Sequence, residues 1–200
     1  MIHVVEVRFR VGGDESLDHR MSNLITLVHR AAQGRKFAVG LPGYRNDAQP
    51  VLGKCLQIFS FEGSETIEVV LSDRRLSTYI MDWCEIGPLR EVQNDEITDW
   101  VIFRKSQIAK KGSPSHQRRA ERRKQEGKRT QQYSGSESSR AQTSRKLLPC
   151  FLHYSQRNDM EVPLYIERAS GLRNAKQVFD SFGLALIGSC GVPTLVGNRE

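Results

Sequence analysis

HVVEVRFRVGGDESLDHRMSNLITLVHRAAQGRKFAVGL fills residues 3–41, and its periodicity changes twice. From His3 to Arg10 the second half alternates. Val5, Val7 and Phe9 share one side and Glu6, Arg8 and Arg10 the other, which is the pattern of a half-buried strand. Gly12-Gly13 breaks it. Leu17, Met21, Leu24 and Val28 then recur at four, three and four, the stripe of an amphipathic helix. Asp14, Glu15 and Asp18 suit the start of that helix, and Gly34 with Arg35-Lys36 suits its end. Residues 37–41 return to an apolar run, a second strand.

Working outward, 52–61 reads as a third strand, after a loop rich in Gly, Asn, Asp and Pro over 42–50. Residues 64–71 read as a short helix with Glu65 and Glu68 near its start, and 80–92 hold a last, less regular strand. The order β-α-β-β-α-β predicts a ferredoxin-like domain over 1–95. The second half, 96–200, has weaker patterns, with strands expected over 100–103, 147–154 and 162–167 and a Gly-rich end. The class is α+β. Residues 130–145 are rich in Ser and Gln and cannot bury a core, which predicts a flexible insertion.

Charge is more informative than composition. The chain totals +7, but residues 104–146 hold fourteen Lys and Arg against three Glu, a net +11 that leaves −4 for the remainder. A mildly acidic protein with one strongly basic element is expected to meet phosphates through that element. Cys55, Cys84, Cys150 and Cys190 lie far apart without CxxC spacing, so neither a disulfide framework nor a zinc site is expected, and a reduced cytoplasm fits. No stretch approaches the roughly 18 apolar residues of a membrane span. The opening residues alternate and carry Glu6, unlike a secretory leader.

Inside the basic element, Ser113-Pro114 is a helix-start signal and Gly127 the matching stop, which predicts a helix over about 114–126. Arg118 and Arg122 are four apart, as are Arg119 and Arg123, so a helix sets them in two adjacent rows without an apolar face. Such a helix is either solvated or neutralised by an anion. The deep groove of A-form RNA is too narrow for it along a regular stem but less confined beside a hairpin loop.

Several local motifs, taken in order, resemble the type I-F CRISPR repeat-RNA-processing endoribonuclease family of the repeat-associated RNA-binding superfamily. They are Val7-Arg8-Phe9-Arg10 with Met21-Ser22 and Leu27-Val28-His29; Ala38-Val39-Gly40-Leu41-Pro42 with Leu52-Gly53-Lys54-Cys55-Leu56; Phe103-Arg104-Lys105-Ser106-Gln107; the arginine helix; Tyr154-Ser155-Gln156 leading to Leu164-Tyr165-Ile166; and Phe182-Gly183-Leu184. The resemblance implies that His29 is a catalytic base and that Ser155 holds the attacking ribose. It implies that Arg104, Lys105 and Gln107 contact the foot of an RNA stem, and that Arg118, Arg119, Arg122 and Arg123 hold the hairpin. It further implies a protein without cofactor or metal that is monomeric when free. The implied partners are a CRISPR repeat-RNA hairpin and the other subunits of a type I-F guide-RNA effector complex. Val162 stands where many members have a stacking aromatic, so that platform is either missing or supplied elsewhere, with Tyr165 a candidate. Phe182 stands where members often have tyrosine, and the insertion is long. These departures are what a divergent branch, such as one carried by CRISPR-associated transposons, shows.

The implied chemistry is economical. RNA supplies its own nucleophile, the 2′-hydroxyl beside the scissile phosphate, and one imidazole near neutrality can remove its proton. By its pattern alone His29 is a residue at the edge of an apolar stripe. His153 beside Tyr154-Ser155 is the reserve candidate, and His3, His19 and His116 have no supporting context. The alternative reading is a subunit that caps the guide RNA without cutting it. If the four helix arginines neutralise phosphates, replacing all of them with alanine flattens the log–log salt dependence of RNA binding by about three units, at roughly 0.7–0.9 per contact. Titrations at several salt concentrations check this, and an unchanged slope returns the helix to the solvated reading.

Overall fold

The computed structural model describes residues 1–10, 16–46, 50–106, 148–155, 160–173 and 176–195. Gln107, the arginine helix with Arg118, Arg119, Arg122 and Arg123, and the 130–145 insertion lie outside these residues, as do Asp14 and Glu15. The class is α+β, as expected, with two antiparallel sheets.

The first sheet contains β1 (His3–Phe9), β2 (Ala38–Gly40), β3 (Cys55–Ser60), β4 (Cys84–Ile86) and β5 (Arg90–Glu91), in the order β2-β3-β1-β4, with β5 also on β1. The β1–β3 register runs from His3 opposite Ser60 to Arg8 opposite Cys55. Val5, Val7 and Phe9 are buried as the alternation requires. Helix α1 (Leu17–Ala32) connects β1 to β2 and packs Met21, Leu24, Ile25 and Val28 into the core. Ser16 caps it by accepting a hydrogen bond from the His19 amide, and Gln33 closes it in the left-handed region at φ 48°.

The second crossover differs from expectation. Besides α2 (Glu65–Ser72) it holds α3 (Arg74–Trp83), so residues 80–83 end a helix and do not begin a strand. Only β4 and β5 within 80–92 are extended. The determinant is Asp73, whose Oδ1 accepts from the amides of Arg75 and Leu76, both at 3.0 Å. Leu76 and Ile80 are the buried positions of α3. Leu76, Tyr79, Ile80 and Trp83 recur at three, one and three, a helical stripe that runs into the 80–92 stretch read for a strand.

The second sheet is β7-β8-β6-β9, built from β6 (Ile97–Lys105), β7 (Cys150–Ser155), β8 (Met160–Ser170) and β9 (Val192–Leu195). β8 pairs with β7 through residues 160–165 and with β6 through 166–170. β9 was hidden in the Gly-rich end. Its Pro193 is tolerated because β9 is an edge strand, where a missing N–H breaks no ladder.

Among the described residues one buried cluster includes side chains of both sheets, among them Val7, Val39, Phe103, Phe151, Ile166 and Leu195, together with Val28 of α1 and Phe182. Polar ties cross the same boundary. Buried Tyr44 donates its hydroxyl to the Ile166 carbonyl at 3.0 Å. Ser22 on α1 donates to the Asp18 carbonyl and accepts from the Leu152 amide of β7 at 3.0 Å. The four cysteines are free thiols, and burial pushes Cys84 up to about 11, with Arg10 and Arg20 pulling the other way. No helix among the described residues is long and apolar enough to cross a membrane. Ser22→Ala orphans the Leu152 amide, and urea denaturation is expected to show a loss of about 1–3 kcal/mol.

Candidate functional site

Ser22 and His29 are seven residues apart on α1, two turns, and therefore lie on one face of the helix. Ser22 binds β7, while His29 in the last turn meets a turn of the second half between Phe179 and Ala185. The His29 ring stacks on Phe182 with centroids 4.1 Å apart and planes 20° from parallel. Its Nδ1 lies 2.5 Å from the Ser181 carbonyl oxygen. A carbonyl only accepts, so Nδ1 carries the proton. In the neutral ring the lone pair is then on Nε2.

The turn is heavily determined. Asp180 Oδ1 accepts from the amides of Phe182 (2.8 Å) and Leu184 (3.1 Å), and the Asp180 carbonyl accepts from Gly183 (2.9 Å). This is how an aspartate before a glycine stabilises a turn. Gly183 adopts φ +72°, and a Cβ there would lie 2.7 Å from the Phe37 ring. Its carbonyl accepts from Val39 on β2, while the Ala185 amide donates to Phe103 on β6. The turn is thus bonded to both sheets beneath His29.

A cation completes the group. Lys105 Nζ is 2.7 Å from Asp180 Oδ2 and 4.6 Å from the Phe182 ring centroid. The pair is partly shielded, with side chains 33% and 15% exposed. Lys105, expected to touch RNA, is therefore held within the cluster around His29. Its neighbour Arg104 is paired across the strands with Glu167 at 2.6 Å.

Other expected residues fall nearby or elsewhere. Ser155 is the last residue of β7 and pairs in register with Met160. It stands four positions beyond Phe151, whose ring is 5.6 Å from Phe182. His153, on the same strand, pairs in register with Val162. Val162 and Tyr165 are three apart on β8, so strand alternation turns them to opposite faces. Asp180 and Ser181 carried no expectation. Their signal was the run Asp-Ser-Phe-Gly, a turn sequence adjoining a motif already singled out.

The family model described as CRISPR-associated protein (Cas_Csy4) matches residues 5–194. No curated protein matches the chain significantly. Gly183→Ala forces a β-carbon into the left-handed region, which costs about 1–2 kcal/mol before the clash with Phe37 is counted. Chemical denaturation is therefore expected to show a loss of about 2 kcal/mol or more.

Proposed function

The chain belongs to the Cas_Csy4 family of type I-F CRISPR repeat-RNA endoribonucleases, and on that premise we propose that it cuts a precursor RNA at a repeat hairpin with His29 as the base. Membership gives a role in CRISPR RNA processing. The hairpin-specific cut, the residues that make it and retention of the product in a guide-RNA effector complex are the finer reading.

The observation that carries this reading is the His29–Ser181 hydrogen bond. It holds the proton on Nδ1, so Nε2 is the nitrogen able to take a proton from a 2′-hydroxyl. In the proposed step the 2′-oxygen forms a bond to phosphorus as its proton passes to Nε2. The bond from phosphorus to the 5′-oxygen breaks, and that oxygen leaves with a proton from solvent. The upstream product then ends in a 2′,3′-cyclic phosphate. Ser155 is proposed to hold the attacking ribose. The arginines at 118, 119, 122 and 123, with Gln107, are proposed to hold the RNA stem. An RNA group that recruits Arg104 or Lys105 must compete with Glu167 or Asp180.

The test is kinetic. His29→Ala is expected to slow single-turnover cleavage of the cognate hairpin at least about a hundredfold, the lower end of general-base contributions. Affinity should stay within several-fold, because a base acts mainly in the transition state. Chelators should leave the parent active, and a 2′-deoxy nucleotide at the cut should stop the reaction. An active alanine variant moves the base to His153. Metal dependence, or cleavage of the deoxy substrate, ends the intramolecular-attack scheme. A parent protein that binds the hairpin without cutting it is an RNA-capping subunit.

A further inference from the structure

We propose that Asp180 is a positioning residue for His29, acting through the turn that presents the Ser181 carbonyl and the Phe182 ring. The inference rests on the reading of His29 as the base. Asp180 is in the second half of the chain and His29 on the first helix, and what joins them is the peptide between Asp180 and Phe182. The carboxylate accepts from the amides of Phe182 and Leu184, one residue on either side of Gly183. Those bonds fix the plane of the peptides that follow Ser181, and with them the direction of its carbonyl. The Asp180 main chain adds two more bonds, from its amide to the Leu184 carbonyl (2.8 Å) and to its carbonyl from the Gly183 amide. The turn is closed on itself.

The consequence for the imidazole is specific. A neutral histidine in water is not confined to one tautomer. Here the Ser181 carbonyl is an acceptor at Nδ1, and the ring stacks on Phe182. Both come from consecutive residues of the Asp180 turn. Losing the carboxylate removes the caps of Phe182 and Leu184, frees the Ser181 carbonyl to rotate and loosens the stack in one event. The ring can then carry its proton on Nε2, where it is a donor and not a base. Asp180 Oδ2 meanwhile bonds Lys105 Nζ. The same side chain thus also ties the cation at the end of β6 to the turn that holds the ring.

Two substitutions separate the parts. Asp180→Ala removes the acceptor of the two amides. Asp180→Asn keeps an accepting oxygen for them and loses only the charge that pairs with Lys105. The first measurement is the ¹⁵N spectrum of the histidine rings in the RNA-free full chain, at a pH where the ring is neutral, with the His29 signal assigned by its absence from His29→Ala. The parent is expected to show His29 protonated at Nδ1. Asp180→Ala is expected to lose that signature, and Asp180→Asn to keep it. The second measurement is single-turnover cleavage beside hairpin affinity. Asp180→Ala is expected to cut about ten- to a hundredfold more slowly, the scale of a misplaced catalytic group, with Kd changed no more than about threefold. The loss in Asp180→Asn is expected to be several-fold smaller than in Asp180→Ala.

If Asp180→Ala does not fold, Asp180→Ser, with a shorter and weaker cap, takes its place, and its loss is expected to lie between the other two. An alanine or serine variant with the parental ring signature and the parental rate overturns the inference. So does one that loses the signature and still cuts at the parental rate. A His29→Ala protein that cuts as fast as the parent instead overturns the reading of His29 as base, and the ring spectrum reports separately whether Asp180 holds the imidazole.

Discussion

The turn from Asp180 to Leu184 is the constraint on which the rest hangs. Its Gly183 carbonyl accepts a hydrogen bond from β2, its neighbour Ala185 gives one to β6, and its Ser181 carbonyl accepts one from His29 on α1. Three elements of different origin are fixed by one short run of backbone. The left-handed glycine makes this possible, because only without a β-carbon does the chain pass so close to Phe37. The aromatic contacts follow from the same geometry. Phe182 packs between His29 and Phe151, and Phe179 stacks on Phe61 with centroids 5.6 Å apart. A phenyl ring suffices for this stacking, so the absence of a tyrosine hydroxyl at 182 leaves the support of His29 intact.

The ion pairs at the end of β6 add an electrostatic layer. Arg104 and Lys105 are adjacent in sequence, yet each meets a different carboxylate, Glu167 across the sheet and Asp180 on the turn. Partly exposed pairs of this kind contribute little to stability, about 0–1 kcal/mol each. They also fix where the two cations stand, one across the sheet and one on the turn below His29.

Much of this was legible in the sequence, and the misses have physical causes. β1 and α1 were readable because each carries a clean period, and β2 and β3 because each is a short apolar run bounded by glycines, prolines or charges. α3 was missed because its stripe of Leu76, Tyr79, Ile80 and Trp83 runs into the 80–92 stretch read for a strand, and its start is set by one side-chain cap at Asp73. β9 was missed because Gly191 and Pro193 read as loop, whereas an edge position accommodates the proline. At the candidate site His29 was reached by resemblance, since its own pattern is that of any residue bordering an apolar stripe. Asp180 was out of reach. Its importance lies in bonds to the main chain and to Lys105, 75 residues earlier, and no local periodicity records such a contact.

The placement of β8 has a bearing on how such a chain tolerates change in length. β8 is one continuous strand that serves β7 with its first half and β6 with its second, whereas β6 and β7 are not bonded to each other. A residue gained or lost within β8 would shift one ladder against the other, and a slip of one turns the side chains of the displaced half to the wrong face. The two ladders are therefore coupled through the length of one strand, and β6 and β7, which share no ladder, belong to one sheet only through it.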